Sequence, residues 1–126
     1  MNSFDIDGVI YMGKDYDGVY PGIRDTIITG RSFEEKDETI AMLQYKGITN
    51  KVYFNPLPFE QKTRITSGQH KGRTIQALIT LGIPIGIHFE DDPIQAEEIK
   101  KIVPSVNVVL LHHDLVEKEN VRHDNY

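Results

Sequence analysis

Short runs of β-branched and aromatic residues recur along the chain, and the stretches between them alternate between turn chemistry and helical periodicity. Ser3 to Ile6 is the first run; it leads straight into Asp7-Gly8, a turn signal, and predicts strand one. Tyr11 to Gly22 mixes Gly13, Gly18, Pro21 and Gly22 with Tyr and Asp, which predicts a loop or small hairpin and not a helix. Asp25 to Ile28 predicts strand two, ending in a turn at Thr29-Gly30.

Ser32 with Glu35 has the spacing of a capping box, in which each side chain satisfies a backbone N–H of the other. It opens a helix of about 13 residues with Ile40 and Leu43 on one face and Gly47 as the left-handed residue past its end. Lys51 to Asn55 predicts strand three, and Pro56 and Pro58 break the pattern after it. Ser67 is the expected cap of a second helix, whose apolar stripe is Ile75, Leu78 and Ile79 and whose end is marked by Gly82 and Pro84. Ile85 to Phe89 predicts strand four, and Asp92-Pro93 starts a third helix with Ile99, Ile102 and Val103 inward. Val106 to Leu111 is wholly apolar and predicts a fifth strand buried on both sides, with a polar tail from His112.

Five strands with three intervening helices predict one three-layer, Rossmann-like α/β domain with a parallel sheet over residues 1–126. One link is unusual: strands one and two are joined by the Gly/Tyr/Asp segment and not by a crossover helix. A parallel pair normally needs a covering connection, so an apolar strip is expected to lie bare on that face, where a homodimer could cover it.

Composition narrows the classes. The 126 residues are 39% hydrophobic and 26% charged, which fits a globular domain and excludes disordered or collagen-like chains. No apolar run approaches the roughly 20 residues of a membrane span, and Asp5 comes too early to leave room for a leader peptide. With no cysteine, disulfides and cysteine-ligated metals are excluded, and a cytoplasmic protein is the expectation. The net charge of -5 argues against a large electrostatic footprint on nucleic acid, though Lys62, Arg64, His70, Lys71 and Arg73, without an acid among them, could form a local basic rim.

In a parallel sheet the ligand site lies at the C-terminal strand ends, and the polar residues expected there are few: Asp5, Asp7, Thr29 and Asp91. Phe4-Asp5-Ile6-Asp7-Gly8-Val9 resembles the first motif of the haloacid-dehalogenase (HAD) superfamily, and Ile27-Ile28-Thr29-Gly30 resembles the second. His70-Lys71, placed in the first turn of its helix, resembles the third, and Phe89-Glu90-Asp91-Asp92 the acidic fourth. Each match is weak alone, but their joint order covers nearly the whole chain. The receiver domain of response regulators also combines Asp, Thr and Lys on such a sheet. Its phosphoacceptor follows strand three, however, where this chain has Asn55-Pro56.

The resemblance implies a strand order 5-4-1-2-3 and a Mg²⁺-dependent phosphohydrolase. Asp5 would be the nucleophile that forms an aspartyl-phosphate, and Asp7 the general acid and base. Thr29, Gly30 and Lys71 would hold phosphoryl oxygens, and Arg31 is similar to an arginine near substrate in the polynucleotide 3′-phosphatase branch. Asp5, the backbone carbonyl of Asp7, and Asp91 would hold Mg²⁺, with Asp92 a second candidate that already has an N-cap to form. The intervals Asp7–Thr29 and Asn55–Ser67 are too short for the cap modules of that superfamily. An open site suited to a nucleic-acid or nucleotide phosphate is therefore expected, ahead of a phosphoprotein or small phosphoester, or a binding protein without turnover. His112, His113 and His123 invite a transition-metal reading, but a polar end to strand five accounts for them more simply.

Overall fold

A computed structural model describes residues 1–117, so His123 lies outside the described residues. The strands are β1 (Asn2–Phe4), β2 (Thr26–Ser32), β3 (Val52–Asn55), β4 (Ile87–Glu90) and β5 (Asn107–Leu110). They form one sheet in the order β3-β2-β1-β4-β5, which is the expected order seen from the other edge, and every neighbouring pair is parallel.

The helices are α1 (Lys36–Tyr45), α2 (Arg64–Thr80) and α3 (Pro93–Ile102). Side chains alternate across β2, so its neighbours Ile27 and Ile28 enter different cores. Ile28 meets Ile75 and Leu78 of α2 and Ile99 of α3 on one face. Ile27 and Phe4 meet Leu43 of α1 with Ile6, Val9 and Ile10 on the other. The missing crossover helix is thus replaced in part by the segment after β1, which folds its own apolar residues onto the sheet. Toward β5 that face does open: Asn107 and Val109 are exposed.

The Ser32–Glu35 capping box forms, with Ser32 N–H donating to Glu35 Oε2 at 2.7 Å and Glu34 N–H to Ser32 Oγ at 3.1 Å. A 3-10 turn over Phe33–Glu35 runs into α1, and Gly47 follows its end at φ 76°.

Five expectations need correction. Ser67 does not cap α2: Thr63 does, because the backbone N–H of Thr63 donates to the Thr66 hydroxyl and that of Thr66 to the Thr63 hydroxyl, in a box that uses Thr where Glu or Gln is usual. Lys71 therefore lies about two turns into the helix and not in its first. Ile79 is exposed although it follows Ile75 by one turn on the same face, because the buried positions of α2, Ser67, Gly68, Lys71, Gly72, Ile75 and Leu78, stop just short of the helix end where it lies. β2 runs on through Thr29-Gly30 instead of turning there, with its register against β3 shifting between Ile28 and Ser32. β5 is not buried on both sides but alternates exposed and half-buried residues, as an edge strand covered on one face does.

Candidate functional site

β1 and β4 are neighbours in register, with Phe4 opposite Phe89, so the residues that follow each strand are brought level. Asp5 follows β1, and Glu90 ends β4 with Asp91 next to it. One ligand atom from each of Asp5, Glu90 and Asp91 lies within 4.8 Å of the others, and the three side chains are buried.

Lys71 enters this cluster from α2. Its Nζ lies 3.0 Å from Asp5 Oδ1 and donates to Glu90 Oε1 at 2.8 Å, and none of Lys71 is exposed. The Ile6 N–H also donates to Asp5 Oδ1 at 2.8 Å, which fixes the carboxylate rotamer. Below Glu90, His88 is wholly buried. Its Nε2 is 3.1 Å from Glu90 Oε1, already an acceptor, and its Nδ1 is 2.7 Å from Ser3 Oγ. The imidazole therefore carries its proton on Nε2 and accepts from the Ser3 hydroxyl. Burial and then the Lys71 charge hold its pKa down at about 3 against the pull of Asp5, so the ring is neutral.

Counted as ionised, three carboxylates face one lysine. Such an excess of buried negative charge is costly unless a cation balances it. The all-oxygen donor set suits a hard divalent ion, so the residues fit a cation of the Mg²⁺ or Ca²⁺ type.

Gly8 explains why this cluster closes. It lies at φ 82°, a region other residues rarely adopt, and a Cβ there would stand 1.9 Å from Asp91 Oδ2. The turn after β1 can pass over Asp91 only with glycine at this position.

Asp7 and Arg31 meet as a two-pronged ion pair, Nε to Oδ2 at 2.9 Å and Nη2 to Oδ1 at 2.8 Å, and Arg31 also donates to Thr39 Oγ1. Burial penalises the Arg31 charge, but its hydrogen bonds to Asp7 and the attraction of Asp7, Glu35 and Asp5 outweigh that and raise its pKa. Thr29 is buried on β2 and its hydroxyl accepts the Arg31 N–H at 3.1 Å. The Gly30 carbonyl is held by Lys62 Nζ and Asn55 Nδ2, each at 3.3 Å.

The expected site residues thus fall into two groups. Asp5, Asp91 and Lys71 converge, with Asp7, Arg31, Thr29 and Gly30 on the adjoining strand ends. Asp92 is outside the cluster: its carboxylate caps α3 at Ile94 N–H and takes a fork from Arg64, at 2.6 and 2.8 Å. Burial opposes the ionised form of Asp92, but Arg64, the Ile94 N–H and Gln95 prevail and lower its pKa. The basic run is likewise not a rim. Lys62 is buried against Glu35, Lys71 against Asp5 and Glu90, and Arg64 is paired with Asp92, which leaves Arg73 exposed.

Glu90, His88 and Ser3 were not anticipated as site residues. Their signal is the period-2 spacing of His88 and Glu90 on a strand otherwise apolar, which places both on the α2 face beside Lys71.

Among the described residues, no folded module covers the cluster. From Asp5 to Asp25 the chain forms only isolated bridges, Asp7 with Tyr11 and Tyr11 with Asp17, and Asn55 to Thr63 holds a single 3-10 turn. A recess of about 450 Å³ opens beside Asp91, lined by Pro93, His112, His113 and Asp114, and another of about 210 Å³ beside Asp7, Arg31, Glu35 and Glu38. No helix among the described residues is long and apolar enough to cross a membrane. No family model, curated protein or solved structure matches this chain.

Proposed function

We propose that the chain is a capless phosphohydrolase of the HAD type, acting on accessible phosphomonoesters of a nucleic acid or nucleotide. The observation that carries the reading is Lys71 Nζ lying between Asp5 and Glu90, at 3.0 and 2.8 Å, beside Asp91 in one buried cluster. Residues far apart in the chain meet where attack on phosphorus needs a carboxylate, a fixed cation and a site for a second one.

In this reading an Asp5 carboxylate oxygen bonds to phosphorus as the bond to the leaving alcohol oxygen breaks. Asp7 supplies that oxygen with a proton. A water then attacks the phosphoryl group on Asp5, giving its proton to Asp7 and releasing phosphate and the Asp5 carboxylate. Lys71 holds Asp5 and offsets its charge. Thr29 and the Gly30 N–H receive phosphoryl oxygens. Mg²⁺, bound by Asp5 and Asp91 with Glu90 close by, would supply charge neutralisation on the phosphoryl oxygens. The Asp7 carboxylate is held in the fork of Arg31, so the protonating step needs that pair to open, with Arg31 turning to the substrate phosphate.

The open surroundings favour large or extended substrates, because among the described residues no lid encloses a small one. The test is Mg²⁺-dependent phosphate release from nucleotides, 3′- and 5′-phosphorylated oligonucleotides, a phosphopeptide and small phosphoesters, with Asp5→Asn beside the native chain. Turnover on an oligonucleotide or nucleotide that falls by about 10³-fold or more in the variant supports the reading. Preference for the phosphopeptide or small esters would overturn the substrate class, and turnover on none would overturn the reaction.

A further inference from the structure

Ser3 on β1 and His88 on β4 are cross-strand partners, and both are wholly buried. A line of hydrogen bonds runs from them to the acidic cluster. The Ser3 hydroxyl donates to His88 Nδ1 at 2.7 Å, and His88 Nε2–H donates to Glu90 Oε1 at 3.1 Å. Lys71 Nζ donates to the same Glu90 oxygen at 2.8 Å and stands 3.0 Å from Asp5 Oδ1. The other oxygen, Glu90 Oε2, accepts the Asp92 N–H at 3.3 Å.

We infer that His88 is a positioning residue, with Ser3 setting its tautomer: by fixing the Glu90 carboxylate, the pair holds the Lys71 ammonium against Asp5. The inference rests on the reading that Lys71 serves Asp5 in phosphoryl transfer.

An apolar pair at these two strand positions would pack the sheet without desolvating a hydroxyl and an imidazole. The polar pair is tolerable because each donor in the line meets an acceptor, and a buried network satisfied in this way specifies one arrangement of its members. The order of the bonds matters. With the Ser3 hydroxyl on Nδ1, the ring proton is kept at Nε2, where it meets Glu90. A ring protonated at Nδ1 would turn a lone pair toward the carboxylate and repel it.

Glu90 has both oxygens engaged, which resists its swinging toward a cation beside Asp5 and Asp91. It stays the counter-charge of Lys71. The lysine reaches the cluster from α2 on a long flexible stem, and a fixed carboxylate gives its ammonium one place to stand, within reach of Asp5. Supporting partners of this kind, one step behind the reacting groups, commonly change activity by about ten- to a hundredfold when removed.

The experiment compares the full native chain with His88→Leu, His88→Gln and Ser3→Ala. Heteronuclear NMR reads the lysine ammonium and imidazole groups, and phosphate release is followed on the phosphorylated substrate that the native chain turns over best. An ammonium resonance is seen at neutral pH where burial and hydrogen bonds slow its exchange with water; that of Lys71 is assigned by its absence from Lys71→Arg. Leu fills the space of the ring without donating, and the Gln amide can donate from nearly the place of Nε2. The expected result is a native His88 ring protonated at Nε2, and a Lys71 resonance present in the native chain and His88→Gln but lost from His88→Leu. With it, kcat falls about ten- to a hundredfold in His88→Leu, and by a smaller factor in Ser3→Ala, with KM little changed. A proton on Nδ1 of the native ring, a Lys71 resonance that persists in His88→Leu, or a folded Gln variant no better than Leu would overturn the inference. Native kcat in His88→Leu or Ser3→Ala would overturn it while leaving the Asp5 reaction standing. Loss of folding in both His88 variants would overturn it as well, by making the ring part of the core and nothing more. Absence of turnover by the native chain on every substrate, with the Lys71 resonance behaving as expected, would instead remove the reaction, and with it the use assigned to this line of bonds.

Discussion

Lys71 is the residue on which the site's charge balance turns. It is wholly buried, and its ammonium is shared by Asp5 and Glu90 with Asp91 close by. Lys71→Met would leave those carboxylates crowded without their counter-charge, so a loss of about 3 kcal/mol or more in urea unfolding is expected. Added Mg²⁺ should recover part of that loss, because a cation bound among the carboxylates replaces the missing charge. At this scale the sequence showed Asp5, Lys71 and Asp91, because motif order and strand-end position are local properties. It did not show Glu90 as their partner, since only the β1–β4 pairing levels Glu90 with Asp5. Nor could it separate Asp91 from Asp92; the Arg64 fork that occupies Asp92 joins the start of α2 to the start of α3.

The elements were legible where their signals are short-range. The capping box at Ser32, the end of α1 at Gly47 and the Asp92-Pro93 start of α3 all formed as read. The start of α2 was misplaced because Thr63 and Thr66 cap reciprocally with hydroxyls, and Thr63→Ala should cost about 1 kcal/mol in a urea melt. Ser67, freed from capping, lies buried against Asn55 instead. The packing of α2 on α3 was not legible at all. A Cβ on Gly68 would come 2.9 Å from Gln95 Cα and Glu98 Cβ, so the helices touch through the missing side chain. Gly68→Ala gains helix propensity but must push α3 away, and a net loss of about 1–3 kcal/mol is expected by chemical denaturation. β5 was misjudged because its composition is that of a central strand while its position is that of an edge, and strand order is a property of the whole sheet.

For the molecule as a whole, the strand order matches what the motif likeness implied, and the face opposite α2 and α3 is covered in part by the segment after β1. Global stability should depend on acid through buried imidazoles. Burial and then the Lys71 charge hold the His70 pKa at about 4, with the backbone of Tyr53 and Thr29 working the other way. The folded state keeps this ring neutral while the unfolded chain takes up a proton below its ordinary value of 6.5. The contribution is therefore complete above 6.5 and falls, by up to about 1.4 kcal/mol per pH unit, as pH drops toward 4. Urea midpoints measured across that window should decline for the native chain and decline less steeply for His70→Gln; parallel curves would show that His70 titrates alike in both states.

The central claim is that phosphoryl transfer passes through Asp5. Acid quenching within the first turnover, followed by peptide mass spectrometry, tests it most directly on whichever substrate the native chain turns over. The account predicts that the N-terminal peptide gains the mass of one phosphoryl group, localised to Asp5 and absent from Asp5→Asn. A phosphoryl group on another residue, or phosphate release by the Asp5→Asn variant at the native rate, would contradict it.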